Sequence, residues 1–135
     1  MNEVDDALLE AALKARLKAY APYSNFYVGA ALLTEDGTIV TGANVENASY
    51  PLGCCAERTA VFAAVAQGYR KFTRIVIVGP GPQLISPCGA CRQVLAEFGD
   101  LEVVMAEAQG RVVPRRMRLF ELLPLHFGQD ALHGV

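Results

Sequence analysis

The chain has 135 residues, of which 53% are apolar and 19% are Asp, Glu, Lys or Arg. This length predicts one domain spanning residues 1–135. Because few residues are charged, part of the surface is expected to be apolar, and self-association would cover it. The net charge of −2 argues against a nucleic-acid partner, since strongly basic proteins bind phosphate chains, and no apolar run approaches the ~20 residues that cross a bilayer.

The first part of the chain predicts a helix followed by a β-hairpin. Asp5 or Asp6 would cap a helix that continues to Tyr20, because apolar residues recur there at helical spacing. The Asp36-Gly37 pair is typical of a tight hairpin turn between antiparallel strands. The predicted strands are residues 26–34 and 38–43, and the predicted loop that follows them is residues 44–54.

The rest of the chain alternates strands with apolar helices. Residues 56–67 are almost wholly apolar after their first turn, and Gly68 follows at the position of a left-handed C-cap, which predicts a buried helix. Such alternation predicts an α/β fold with three α/β/α layers, in which helices cover both faces of a mixed sheet of about five strands. The other predicted elements are a central strand (73–78), a helix (89–98), a strand (102–106), an Arg-rich edge segment (111–118) and one helical turn (119–123).

Two cysteine-bearing segments at predicted helix starts indicate a metal site. Cys88 and Cys91 lie three residues apart and would share one helix face, although this pair alone is equally compatible with a redox site. A third thiolate from Cys54 or Cys55 would give zinc three protein ligands and leave a position open for water, as in catalytic sites. Spacing does not decide between these two residues, and a closed, four-thiolate structural site is the rival interpretation.

Four motifs around these cysteines resemble the small, homotetrameric, zinc-dependent cytidine deaminases of the cytidine/deoxycytidylate deaminase superfamily. They are CAERTA (55–60), PCGACRQ (87–93), NVENA (44–48) and PYSNFYVGAAL (22–32), and the similarity runs from about residue 19 to residue 127. The resemblance implies one Zn²⁺ per subunit, with Cys55, Cys88 and Cys91 as its ligands. Cys54 is then left without a role.

The same resemblance implies roles for the other site residues. Glu57 would shuttle protons from the attacking water to N3 and then to the departing amine, without binding the metal. Independently of the resemblance, the position of Arg58 directly after Glu57 predicts that it offsets the charge of three thiolates by donating hydrogen bonds to their sulfurs. The implied substrate contacts, with Phe127 coming from a neighbouring subunit at an interfacial active site, are Phe26, Asn44, Glu46, Tyr50, Ala56 and Phe127.

The expected activity is hydrolysis of free cytidine and 2′-deoxycytidine to uridine and 2′-deoxyuridine plus ammonia, in pyrimidine salvage. Glu46 favours a free nucleoside, because a carboxylate accepts a hydroxyl proton but repels a phosphate. The acidic N-terminus lacks the features of a secretion signal, which predicts a cytoplasmic protein with reduced cysteines and no membrane partner.

Three alternatives remain at this point. A blasticidin-type enzyme would deaminate a related aminopyrimidine nucleoside, and a nucleic-acid editor would need a basic groove with stacking aromatics, which this composition does not favour. A non-catalytic structural zinc module would bind four thiols and tolerate Glu57→Gln. The arginines at 111–118 lack interleaved aromatics, so we expect a solvated sheet edge or a subunit contact rather than a phosphate-binding surface.

Overall fold

The computed structural model, in which residues 2–134 are described, is built on a five-stranded mixed sheet. Its strands are β1 (Gly29–Thr34), β2 (Ile39–Ala43), β3 (Phe72–Gly79), β4 (Glu102–Glu107) and β5 (Arg115–Arg118), in the spatial order β2-β1-β3-β4-β5. β3 and β4 are parallel, and the other neighbours pair antiparallel. The helices are α1 (Glu3–Arg16), α2 (Ala56–Ala66), α3 (Gly89–Ala96), α4 (Leu119–Leu122) and α5 (Gln129–His133). Within residues 2–134, none of these helices has the length and apolar character needed to span a membrane.

The helices lie on both faces of the sheet, which confirms the predicted three-layer α/β/α architecture. Alternate residues of a strand point to opposite faces, and β3 is buried on both. Val76 and Val78 pack with Leu8 of α1. Ile75 and Ile77 pack on the other face, in a cluster that includes Val61 of α2 and Leu95 of α3. β3 therefore occupies the centre of the sheet, as its continuous apolar run predicts.

Helix α1 begins earlier than predicted, and neither Asp5 nor Asp6 is its cap. Asn2 is the N-cap, and its side-chain oxygen accepts the backbone N–H of Asp5 at 2.9 Å in a capping box. The Asp5 carboxylate is fully buried because it pairs with Arg74 of β3 and Arg116 of β5. Asp5 thus lies inside the helix and ties it to the sheet.

Helix α1 also ends earlier than predicted, at Arg16 rather than near Tyr20. The Tyr20 backbone N–H donates to the Asn44 carbonyl at 2.9 Å, and the Tyr20 carbonyl accepts from the Glu46 N–H at 2.8 Å. These long-range hydrogen bonds replace those of a continuing helix. The segment 17–28 consequently lies against the loop after β2, and strand β1 begins at Gly29 rather than at Phe26.

Gly42 lets the first turns of α2 approach strand β2. A Cβ atom at this position would collide with the backbone of Ala56 and Ala60. Only glycine permits so close a contact without moving one of the two elements. The contact fixes the N-terminus of α2, which carries Cys55 and Glu57, against the edge of the sheet.

The Arg-rich segment forms the edge strand β5 and the turn before it, and acidic groups neutralise part of its charge. Arg116 pairs with Asp5 and Glu102, and the Arg118 Nε lies 3.1 Å from an Asp100 carboxylate oxygen. Such pairing offsets the charge of two of the four arginines in the segment, Arg116 and Arg118. The interpretation as a sheet edge is confirmed.

Candidate functional site

Three cysteine sulfurs converge where the N-termini of α2 and α3 meet. Cys55 is the N-cap residue of α2, Cys88 is the N-cap residue of α3, and Cys91 lies in the first turn of α3. The Sγ atoms of Cys55 and Cys88 are 3.8 Å apart, and all three Sγ atoms lie within 4.8 Å of one another. Cys91 is buried whereas Cys88 is exposed, so the cluster is closed on one side and accessible on the other.

The fourth cysteine, Cys54, is not part of this group of ligand atoms among residues 2–134. Its backbone forms a two-hydrogen-bond bridge with Val45, with N···O distances of 2.9 and 3.0 Å. In extended backbone, successive side chains point in opposite directions. The bridge therefore separates the side chains of Cys54 and Cys55, and burial raises the pKa of the Cys54 thiol.

The electrostatics of the cluster fit a bound cation. The pKa of Cys55 is lowered to about 5, because the Cys91 thiol donates toward its thiolate and the Arg58 Nη2 lies 3.5 Å from its sulfur. The same hydrogen bond to Cys55 raises the pKa of Cys91, since losing its proton would place a second thiolate beside the first. A divalent cation removes that repulsion, and zinc prefers closely spaced thiolates of this kind. The three cysteines thus fit zinc.

Glu57 lies in the first turn of α2, two residues after Cys55, and is only 4% exposed. Burial disfavours its ionised form and raises the pKa of the carboxyl group to about 7. A carboxyl group with a pKa near neutrality accepts and releases protons readily at physiological pH. Its position next to the sulfur cluster suits proton transfer.

A cavity of about 300 Å³ lies over the sulfur cluster and Glu57. Its volume falls in the range typical of small-molecule sites. Ile85 and Ser86 belong to its wall but were not predicted; the only sequence signal for them is their place directly before the PCGACRQ motif. The residues that line the cavity are Phe26, Val28, Asn44, Cys55, Ala56, Glu57, Ile85, Ser86 and Cys88.

A second cavity, of about 320 Å³, contains Glu46 and Tyr50. The Glu46 carboxylate accepts hydrogen bonds from the N–H groups of Tyr23 at 3.0 Å and Ser24 at 3.2 Å, and from the Ser24 hydroxyl. The Ser24 hydroxyl in particular lowers the pKa of Glu46. The sequence reasoning did not single out Ser24, whose position two residues before Phe26 in the PYSNF motif was the available signal.

Asn44 lines the first cavity and lies two residues before Glu46, which lines the second. Its Oδ1 accepts the Val28 N–H at 2.9 Å, and its Nδ2 donates to the Phe26 carbonyl at 2.7 Å. Residues two apart in extended backbone point to the same side, so the two cavities are neighbours.

Phe127 is not brought to the site of its own chain. It lies outside the walls of both cavities, the residue is 59% exposed, and its backbone carbonyl accepts a hydrogen bond from Gln93 Nε2 at 2.7 Å. A role for Phe127 in substrate binding therefore requires a second copy of the chain.

Comparisons with known proteins point to one family. Residues 2–107 match the model of the cytidine and deoxycytidylate deaminase zinc-binding region. A cytidine deaminase from Halalkalibacterium halodurans is 48% identical over 128 residues, which cover 93% of this chain and 96% of that protein. The crystal structure of a cytidine deaminase from Burkholderia pseudomallei aligns with a TM-score of 0.86 at 55% identity, over 94% of this chain and 100% of the other. A blasticidin-S deaminase from Bacillus cereus is less similar, at 28% identity over 138 residues and 96% of each chain.

Proposed function

Because the chain belongs to the cytidine and deoxycytidylate deaminase family, we propose that it hydrolyses free cytidine and 2′-deoxycytidine to uridine and 2′-deoxyuridine plus ammonia. The protein is a zinc-dependent hydrolase of this family. The observation that carries the proposal is the cluster of three thiols with buried Glu57 beside it, under a cavity that suits a small molecule. The lower identity to a blasticidin-S deaminase makes the related aminopyrimidine nucleosides the weaker alternative.

The cysteines and Glu57 have different roles in the proposed reaction. Cys55, Cys88 and Cys91 would hold the zinc, which would supply a water activated at neutral pH because a bound cation lowers the pKa of such a water toward ~7. Glu57 accepts a proton as the water oxygen bonds to C4 of the pyrimidine, and it delivers this proton to N3. Glu57 then takes the remaining proton from the oxygen now bonded to C4 and passes it to the 4-amino nitrogen, so that the C4–N bond breaks, ammonia leaves and the carbonyl of uridine forms.

The charge of three thiolates needs compensation if they are to share one cation. Arg58 supplies part of it, because its guanidinium lies against the Cys55 sulfur. The N-termini of α2 and α3 supply another part, since Cys55 and Cys88 cap these helices and face the positive ends of their dipoles. We assign Arg58 this supporting role, without contact to the substrate.

We assign the remaining cavity residues to the nucleoside. Phe26 and Ala56 line the base, and Asn44 and Glu46 recognise the ribose hydroxyls. The hydrogen bonds that orient the Asn44 and Glu46 side chains support this, because recognition groups work best when they are held in place before the ligand binds. Tyr50 borders the cavity that contains Glu46, and we assign it a contact at the sugar side.

A substrate comparison tests the role of Glu46. We expect cytidine 5′-monophosphate to react with a kcat/KM roughly 10- to 100-fold below that of cytidine, because its phosphate brings negative charge near the Glu46 carboxylate. Measuring both substrates at one ionic strength gives this ratio. Glu46→Gln removes the negative charge and is expected to reduce the difference in kcat/KM between the two substrates. Equal turnover of the two substrates by the wild type, or a gap that Glu46→Gln leaves unchanged, would contradict the role.

We also propose that the enzyme is a homotetramer with active sites at subunit interfaces, and that it acts in cytoplasmic pyrimidine salvage. Large apolar residues at the surface support self-association, among them Leu17, Phe62 and Leu125, which are all exposed. The exposed ring of Phe127 supports a site completed by a neighbour. Metal ligation by thiolates suits a reducing compartment.

The direct test of the proposed function is turnover of cytidine by the purified, zinc-loaded protein. Uridine and ammonia are expected in equal amounts, which chromatography and an ammonia assay can measure together. Zinc binding without ammonia release from cytidine or 2′-deoxycytidine would instead favour the structural zinc module.

A further inference from the structure

The C-terminal segment, residues 119–134, lies along helix α3, which also carries Cys88 and Cys91. Three side-chain hydrogen bonds link this segment to α3 and to its C-cap residue, Glu97. Two of them come from Arg92 and Gln93, the last residues of the PCGACRQ motif, which the proposed chemistry does not use. The bonds are Arg92 Nη1 to the Leu122 carbonyl (2.6 Å), Gln93 Nε2 to the Phe127 carbonyl (2.7 Å) and Gln129 Nε2 to Glu97 Oε2 (2.7 Å).

Arg92 links the residues just before the N-terminus of α3 to the C-terminus of α4. Besides Leu122, its guanidinium donates to the Pro87 carbonyl at 2.7 Å and to the Ser86 hydroxyl at 3.0 Å. The Cys88 side chain makes no capping hydrogen bond to α3, and Arg92 holds the two residues just before this N-cap residue. The Leu122 carbonyl is one of the helix-end acceptors that lack a partner within their own helix. One planar guanidinium thus holds both segments at once.

Gln93 holds the backbone of Phe127 while leaving its ring in solvent. The chain turns just before this point, where Leu125 has a positive φ of 54°. The His126 ring lies 4.4 Å from the Phe120 ring, which fixes the same stretch from the other side. Phe127 is therefore presented outward from a backbone that α3 keeps in place.

We propose that Arg92 and Gln93 are positioning residues that fix Phe127 relative to the metal-binding helix. The inference rests on the proposed function, in which Phe127 completes the active site of a neighbouring subunit. Arg92 and Gln93 directly follow Cys91, so the zinc site of one subunit and the substrate pocket of the next share one rigid element. Loss of the Gln93 hydrogen bond weakens substrate binding in the neighbour without removing metal or the proton shuttle.

The test uses Gln93→Glu, which keeps the shape of the side chain but removes the N–H donor to the Phe127 carbonyl. We expect KM for cytidine to rise about 3- to 10-fold, as for loss of one hydrogen bond, with kcat within about twofold of the wild type. Zinc content is expected to be unchanged. Hydrogen exchange, followed by mass spectrometry without substrate, is expected to be faster in residues 122–129. Gln93→Lys, which restores an N–H donor, is expected to have a KM for cytidine closer to the wild-type value than that of Gln93→Glu.

Gln67→Glu is the matched control, because Gln67 is exposed and its side chain makes no hydrogen bond within residues 2–134. This variant should leave both KM and exchange as in the wild type. Unchanged exchange in residues 122–129 of Gln93→Glu, an unchanged KM, or a fall in kcat that follows zinc loss would overturn the proposal. Wild-type protein that fails to deaminate cytidine would refute the proposed function, and the exchange comparison would still decide whether Gln93 holds the segment.

Discussion

Glu57→Gln is expected to lower kcat for cytidine by about 1,000- to 10,000-fold while the protein keeps its zinc and its fold. Glutamine has the shape of glutamate but cannot accept a proton from water and deliver it to the pyrimidine. Burial raises the pKa of Glu57 to about 7, which means that the folded protein disfavours the ionised carboxylate. A neutral amide avoids that cost, so we expect the melting temperature of the metal-free variant at pH 8 to equal or exceed that of the metal-free wild type. Steady-state kinetics, metal analysis and thermal unfolding measure the three quantities.

Glu107→Gln is the control for this result, because Glu107 is as buried as Glu57, at 4% exposure, but lies away from the sulfur cluster. Its carboxylate accepts the backbone N–H groups of Gln109, Arg111 and Val112. We expect this variant to be less stable yet to retain kcat near the wild-type value. Glu57→Gln with more than about a tenth of the wild-type kcat would contradict general acid-base catalysis by Glu57 and favour a structural zinc module.

The second large effect concerns two adjacent cysteines. Cys55→Ser is expected to weaken zinc binding at least ~100-fold and to abolish turnover, because a neutral hydroxyl is a poor substitute for a thiolate ligand. Cys54→Ser is expected to retain zinc and activity, since Cys54 lies outside the group of ligand atoms. Zinc per chain after dialysis against a chelator, together with kcat for cytidine, measures both variants.

This pair of variants separates the open and closed forms of the site. Equal zinc loss from Cys54→Ser and Cys55→Ser would indicate four thiolate ligands and no position for water. Zinc loss confined to Cys54→Ser would mean that the wrong cysteine has been assigned.

Much of the fold could be predicted from the sequence, because its central elements have strong local signals. The apolar run of β3 requires burial on both faces, and Gly68, with a φ of 98°, ends α2 where the sequence places a left-handed cap. The two cysteine-bearing segments could be assigned to helix starts because the helices that follow them also have strong local signals. The resemblance to the family then named site residues that helical spacing alone did not distinguish, above all Cys55 against Cys54.

The errors lie where distant segments decide the local structure. Tyr20 has the spacing of a helical residue, but its backbone bonds to Asn44 and Glu46 in a loop more than twenty residues away. Asp5 has the character of an N-cap, but it lies inside α1, where its carboxylate pairs with Arg74 and Arg116 of the sheet. The roles of Ser24 and Arg92 likewise depend on contacts that a linear pattern does not contain.

X-ray absorption at the zinc edge of the active protein tests the central claim most directly, because it counts the atoms bound to the metal. We expect three sulfur neighbours at about 2.3 Å and one oxygen or nitrogen neighbour. Four sulfur neighbours, or full activity in protein that contains no zinc, would contradict the account.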